Sequence, residues 1–171
     1  MLIELFSQLD WITLLAAAVW IFLAAGVRGY AGFGSAPIAV VGISLLLDPG
    51  KVIPLVLMLE TIASIKMLPR VWNHIDWHQL RWLSLGAFIA TPLGVSLLAS
   101  TPADTMRLVI YSSILLMAIL IGSGISIAKR KNTLSMTTAG IASGITNGEA
   151  GIGGLPLVVY FLSSKEKAAT F

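Results

Sequence analysis

Apolar residues fall in long runs along this chain, and each run stops at glycine, proline or clustered charge. The runs cover residues 11–27, 35–47, 52–68, 82–99, 106–128 and 134–162, the last with a Gly-rich interruption at 144–154. The stops are an Asp48-Pro49-Gly50 turn signal, Pro69, Ser100-Thr101-Pro102 and Lys129-Arg130-Lys131. A helix that crosses a bilayer needs about 20 mostly apolar residues. The fourth and fifth runs meet that length. The fold class expected is all-α: a polytopic transmembrane helix bundle with repeats and with Gly-rich helix breaks within the membrane.

The run 35–47 holds 13 residues, roughly 20 Å of helix at about 1.5 Å per residue. That is too short for a hydrocarbon core of about 30 Å. The break before it, Arg28-Gly29-Tyr30-Ala31-Gly32-Phe33-Gly34, is therefore expected at membrane depth. Irregular backbone survives there only when it is buried in protein or lines a wet cavity.

Composition points the same way. Of the 171 residues, 57% are hydrophobic and 11% charged, against roughly a quarter charged in soluble domains. A soluble domain of this size cannot cover its surface with so few charges. The absence of cysteine removes disulfides and thiolate metal sites. The net charge is +3, and most of the basic residues sit in short segments between the runs, a topology pattern rather than a nucleic-acid surface. With Lys129-Arg130-Lys131 placed in the cytoplasm, Arg70, Arg81, Lys165 and Lys167 also fall inside, Asp48-Pro49-Gly50 and the 100–104 loop fall outside, and Arg28 points inward. Lys51 and Arg107, at helix ends, depart from the rule and are read as snorkelling. The acidic, non-basic start at residues 1–10 is read as no cleaved signal. Trp72, Trp77 and Trp82 read as an interfacial aromatic belt.

The most specific feature is an internal repeat. Residues 29–40, GYAGFGSAPIAV, align with residues 148–159, GEAGIGGLPLVV, at Gly29/Gly148, Ala31/Ala150, Gly32/Gly151, Gly34/Gly153, Pro37/Pro156 and Val40/Val159. Residues 1–133 then form a first repeat of about five spans, and 134–171 the start of a second. An odd span count inverts the second copy, so its break approaches the midplane from the other side, as in transporters built from inverted repeats. The sequence stops at Phe171, where further helices are expected, which reads as truncation of a longer two-repeat protein.

AGFGSAPIAV and NGEAGIGGLPL resemble the TauE/SafE (TSUP) family of membrane transporters over essentially the whole chain. The resemblance implies export or uptake of sulfite, sulfonates or related small organic anions. It does not select among them.

Physically, a helix restarting after each break presents unpaired N–H groups and partial positive charge, which suit an anion without a buried counter-charge. Ser35 is expected to cap the first restart, with Pro37 and Pro156 in first turns. The expected substrate-binding residues are Gly32, Phe33, Gly34, Ser35, Asn147, Gly151, Ile152, Gly153, Gly154 and Arg28. Packing glycines are the plainer reading of the same motif. Arg28 either holds the anion or faces the cytoplasmic interface. Glu60, near the centre of the third run, and Glu149, in the second motif, are proton-coupling candidates. A neutral, hydrogen-bonded carboxyl between helices is the alternative for Glu60.

His74 and His78 have the i, i+4 spacing of metal ligands, but no third ligand is evident and no metal is expected. GFGSAP lacks the Lys-Ser/Thr of a P-loop, and no Gly-x-Ser-x-Gly or His-Glu-x-x-His occurs. No enzyme activity, catalytic residue, cofactor or nucleic-acid partner is expected. The expected partners are a small anionic substrate and the lipid bilayer of the cell (inner) membrane, with proton coupling open and no oligomeric state selected. A secondary transporter of small anions is the leading reading. An anion channel would show flux without exchange, and a non-transporting scaffold or assembly subunit would show a dry midplane.

Overall fold

A computed structural model describes residues 10–123 and 133–163. The acidic start at 1–9, the end of the fifth run, Lys129-Arg130-Lys131, Lys165 and Lys167 lie outside the described residues. Every regular element among those described is helical: α1 (Trp11–Ala31), α2 (Ser35–Ser44), α3 (Pro49–Val71), α4 (Trp77–Ser100), α5 (Ala103–Ser123), α6 (Thr133–Ala150) and α7 (Gly154–Ser163), with a 3-10 turn at Trp72–His74. Helices α1, α3, α4 and α5 are long and apolar enough to cross a membrane. Their outward faces are apolar, with Phe22 79% and Phe88 81% exposed. That is the surface an apolar solvent permits and water does not.

Helices α2 and α7 have 10 residues each, about 15 Å, and fold back as half-length arms. In the first hairpin, α2 runs antiparallel to α1. Arg28 Nη1 donates to Ser35 Oγ at 3.2 Å at the tip, and a Cβ on Gly42 would meet the Trp20 ring. In the second, α7 returns along α6, with Tyr160 packed in a cluster with Met136. α3 starts beside the end of α2 and runs back along it. Val52, Ile53 and Val56 share a core with Val40, Ile43, Met106 and Ile110. Arg107 of α5 donates to the Ser44 carbonyl at 2.9 Å and the Leu47 carbonyl at 3.3 Å. It therefore ties down the carbonyl of the last α2 residue and one in the turn beyond it, a role beyond snorkelling.

α4 and α6 are parallel and very close. A Cβ on Gly86 would lie 2.5 Å from the Thr137 carbonyl oxygen, on Gly144 2.4 Å from that of Ala87, and on Gly94 2.2 Å from that of Ile145. Gly140, Gly144 and Gly148, spaced by four, put one flat stripe on α6. This corrects the second break: Gly144 and Gly148 belong to helix and contact, and the interruption is confined to residues 151–153. The first break likewise shrinks to 32–34, since α1 continues through Arg28 to Ala31. Pro69 does not end its helix, because α3 runs on to Val71.

The helix directions set the two hairpin tips against each other. α4 and α6 start at one end of the bundle. α2 finishes at the opposite end, beside the start of α5. The α1–α2 tip thus points toward the end from which α6 rises.

Between α3 and α4, Asp76 accepts from the backbone N–H of His78 at 3.0 Å and of Gln79 at 3.2 Å. The His-x-Asp-x-His spacing is thus a helix start, with Asp76 as N-cap. These bonds, the Gln79 backbone N–H first, hold the Asp76 carboxyl below its usual range. A depressed carboxyl stabilises the fold above its unfolded value and loses that contribution as pH falls through the folded one. Asp76→Ala is expected to cost about 1 kcal/mol, read as a lower thermal midpoint at neutral pH, with the difference shrinking at strongly acidic pH. Trp72 and Trp77 stack edge-on at 5.0 Å, half exposed. Trp82 instead packs toward Leu83 and Tyr160.

Candidate functional site

Each hairpin tip is a stop, an irregular link and a restart. Gly32 (φ 79°) and Gly34 (φ 91°) close the first, and Gly151 (φ 68°) the second. These left-handed conformations strain any residue with a Cβ. The Gly32 N–H donates to the Arg28 carbonyl at 2.8 Å and the Gly151 N–H to the Asn147 carbonyl at 2.9 Å. Both helices therefore end in the same way.

The two tips meet at one cavity of about 280 Å³. The first tip contributes Gly32, Phe33, Gly34 and the opening turn Ser35–Ala36–Pro37. The second contributes Asn147, Gly151, Ile152, Gly154 and Leu155. Arg28 reaches it from α1, and Leu57, Glu60 and Ser64 from α3. Glu60 is the middle residue of α3 (Pro49–Val71), so the cavity lies halfway along a helix long enough to cross the membrane.

Arg28 is the cation of the site. Its Nη1 pairs with Glu60 Oε2 and also reaches Ser35 Oγ. Ser35 Oγ in turn donates to Glu60 Oε1. The Arg28 and Glu60 side chains are 20% and 26% exposed, while Ser35 is buried. One carboxylate thus holds both an arginine and a hydroxyl, the donor set that recognises an oxyanion.

Arg28, for which both readings stood open, lies in the last turn of α1, pairs with Glu60 and lines the cavity. Two expectations need correction. Ser35 does not cap α2: the N-cap is Gly34, with no side-chain cap bond, and the Ser35 hydroxyl is engaged with Arg28 and Glu60. Glu149 is not in the break. α6 continues to Ala150, and the buried Glu149 carboxylate accepts from Ser113 Oγ of α5 at 3.0 Å, away from the cavity. Gly153 also stands apart from the lining. A Cβ there would meet Asn147 Cβ at 2.7 Å, and its carbonyl accepts from Ser143 Oγ at 2.7 Å, so it packs the second tip together. The remaining expected residues line the cavity. Leu57 and Ser64 of α3 were not anticipated, since no local pattern marks them, and Ala36, Pro37 and Leu155 lie inside the two motifs but were not expected as binding residues.

A family profile described as Sulfite exporter TauE/SafE matches residues 17–170. No curated protein and no solved structure matches the chain.

Proposed function

Because the chain belongs to the sulfite exporter TauE/SafE family, whose members are membrane transporters, we propose that it carries a small oxyanion of the sulfite or sulfonate kind through the cavity between its two helix breaks. The chain is a multi-pass integral membrane protein, and we place it in the cell membrane. The observation that carries the reading is the convergence of both glycine tips on one cavity that holds Arg28, Ser35 and Asn147. A guanidinium and the first turns of α2 and α7 supply donors and partial positive charge. A cavity of about 280 Å³ suits a small anion with its water rather than a large cofactor.

Two opposed half-length arms around a midplane site fit alternating access, in which one hairpin moves against the other about a fixed site. On this reading residues 1–133 are a first repeat and 134–171 open an inverted second. Counterflow in proteoliposomes made with the full chain tests it: concentrated internal sulfite should accelerate uptake of labelled sulfite. Conductive flux without exchange would instead indicate a channel, and no flux a scaffold.

Gly34→Leu probes the tip. Leucine at φ 91° costs on the order of 1–3 kcal/mol of local strain and adds bulk at the cavity rim. Exchange is expected to fall at least about tenfold, a barrier change of about 1.4 kcal/mol, while helix content by circular dichroism holds. Unchanged exchange in the folded variant would count against the tip as part of the site.

A further inference from the structure

Glu60 occupies the two donors that an incoming oxyanion would need. Its carboxylate takes Arg28 with one oxygen and the Ser35 hydroxyl with the other. A second anion at the same guanidinium would sit beside the first, and like charges that share a partly buried site repel strongly. Arg28 and Glu60 are the charged groups among the residues lining the cavity, and the other polar side chains there, Ser35, Ser64 and Asn147, do not titrate. Of the elements packed around Glu60, α1 brings Arg28, α2 brings Ser35 and α6 brings Asn147. The other carboxyl nearby in sequence to a tip, Glu149, is engaged by Ser113. Neutralising the pair by removing Arg28 is not available, because a guanidinium does not deprotonate in proteins.

We propose, on the basis of the anion site assigned above, that Glu60 is a resident counter-anion which must take up a proton before a substrate oxyanion can claim Arg28 and Ser35, so that one proton and one anion bind together. The carboxylate becomes a carboxylic acid, its charge leaves Arg28, and the incoming oxyanion restores neutrality. The binding unit then carries the anion with a compensating proton. By linkage, the factor by which the proton tightens the anion equals that by which the anion tightens the proton.

The test uses the purified full chain in detergent and methanesulfonate, a strong-acid anion whose own charge does not change with pH in the working range. Calorimetric affinity is expected to weaken about tenfold per pH unit over the range in which binding takes up a proton, the slope of one coupled proton. In weakly buffered solution, each anion bound should remove about one proton from the medium. Glu60→Gln should hold the affinity reached by the parent at low pH and show no pH slope. A sloped profile in Glu60→Gln, or a flat parent profile with no proton uptake, would overturn the coupling while leaving the anion site standing. Absence of methanesulfonate and sulfite binding at every pH would remove the site itself, and the coupling with it. Should Glu60→Gln fail to fold, the proton count on the parent protein decides alone.

Discussion

Gly148→Val is expected to prevent stable assembly of the helix bundle. A Cβ at residue 148 would stand 2.4 Å from the Thr91 carbonyl oxygen, 2.7 Å from the Val95 nitrogen and 2.9 Å from the Gly94 Cα. All three are backbone atoms, so no rotamer change relieves the overlap, and α4 and α6 must move apart. In lipid there is little hydrophobic drive to hold them otherwise, since lipid tails are as apolar as the side chains. Close backbone approach of this kind favours association through dispersion and through weak Cα–H···O attraction. Overpacking of this kind typically costs about 1–3 kcal/mol, and a backbone-to-backbone overlap belongs at or above the upper end. Gly148→Ala should be milder, though still destabilising, because the first added carbon already overlaps. Gly122→Val is the control, with nothing within 4 Å of its Cβ. Thermal unfolding in detergent should rank parent and Gly122→Val together, then Gly148→Ala, then Gly148→Val. Equal midpoints for Gly148→Val and Gly122→Val would show that the two helices do not lie this close.

The sequence makes some of this visible and hides the rest for physical reasons. Breaks at Gly32 and Gly151 are legible because a helix shorter than the membrane is thick must stop within it, and because the motif occurs twice. The same composition misleads at Gly144 and Gly148. A glycine that lets a helix bend and one that lets a helix touch look alike until the neighbour is known, and the four-residue spacing from Gly140 to Gly148 was the available signal. Glu149 aligns with Tyr30 in the repeat, and both lie in helix one residue before its end, outside the cavity lining; there the Glu149 carboxylate meets Ser113. The Arg28–Glu60 pair spans 32 positions and depends on how far α3 has run when it passes the first tip, a level set by the turn that Asp48 starts and Arg107 pins. Each residue can be noticed alone as a charge where charge is expensive. Their partnership is a property of packing.

That partnership yields the last expected result. Arg28→Gln should weaken methanesulfonate binding about 100-fold, or about 2.7 kcal/mol at 1.4 kcal/mol per decade, and should also destabilise the protein. The two effects have different origins. Lost binding follows from losing a charge-assisted donor pair to the anion. Lost stability follows from leaving Glu60 partly buried without its cation, and removing one member of a desolvated pair costs most through the charge left behind. Because the pair keeps 20% and 26% exposure, the stability loss should be about 1–3 kcal/mol rather than the value for a fully buried pair. Adding Glu60→Gln separates them. Arg28→Gln with Glu60→Gln places two neutral amides where the ion pair was, so the unfolding midpoint should recover most of the loss, a coupling that a double-mutant cycle measures directly. Binding should not recover, since no cation remains to meet the anion. If binding returned along with stability, Arg28 would be no more than the partner of Glu60, and the positive ends of α2 and α7 would have to hold the substrate without it.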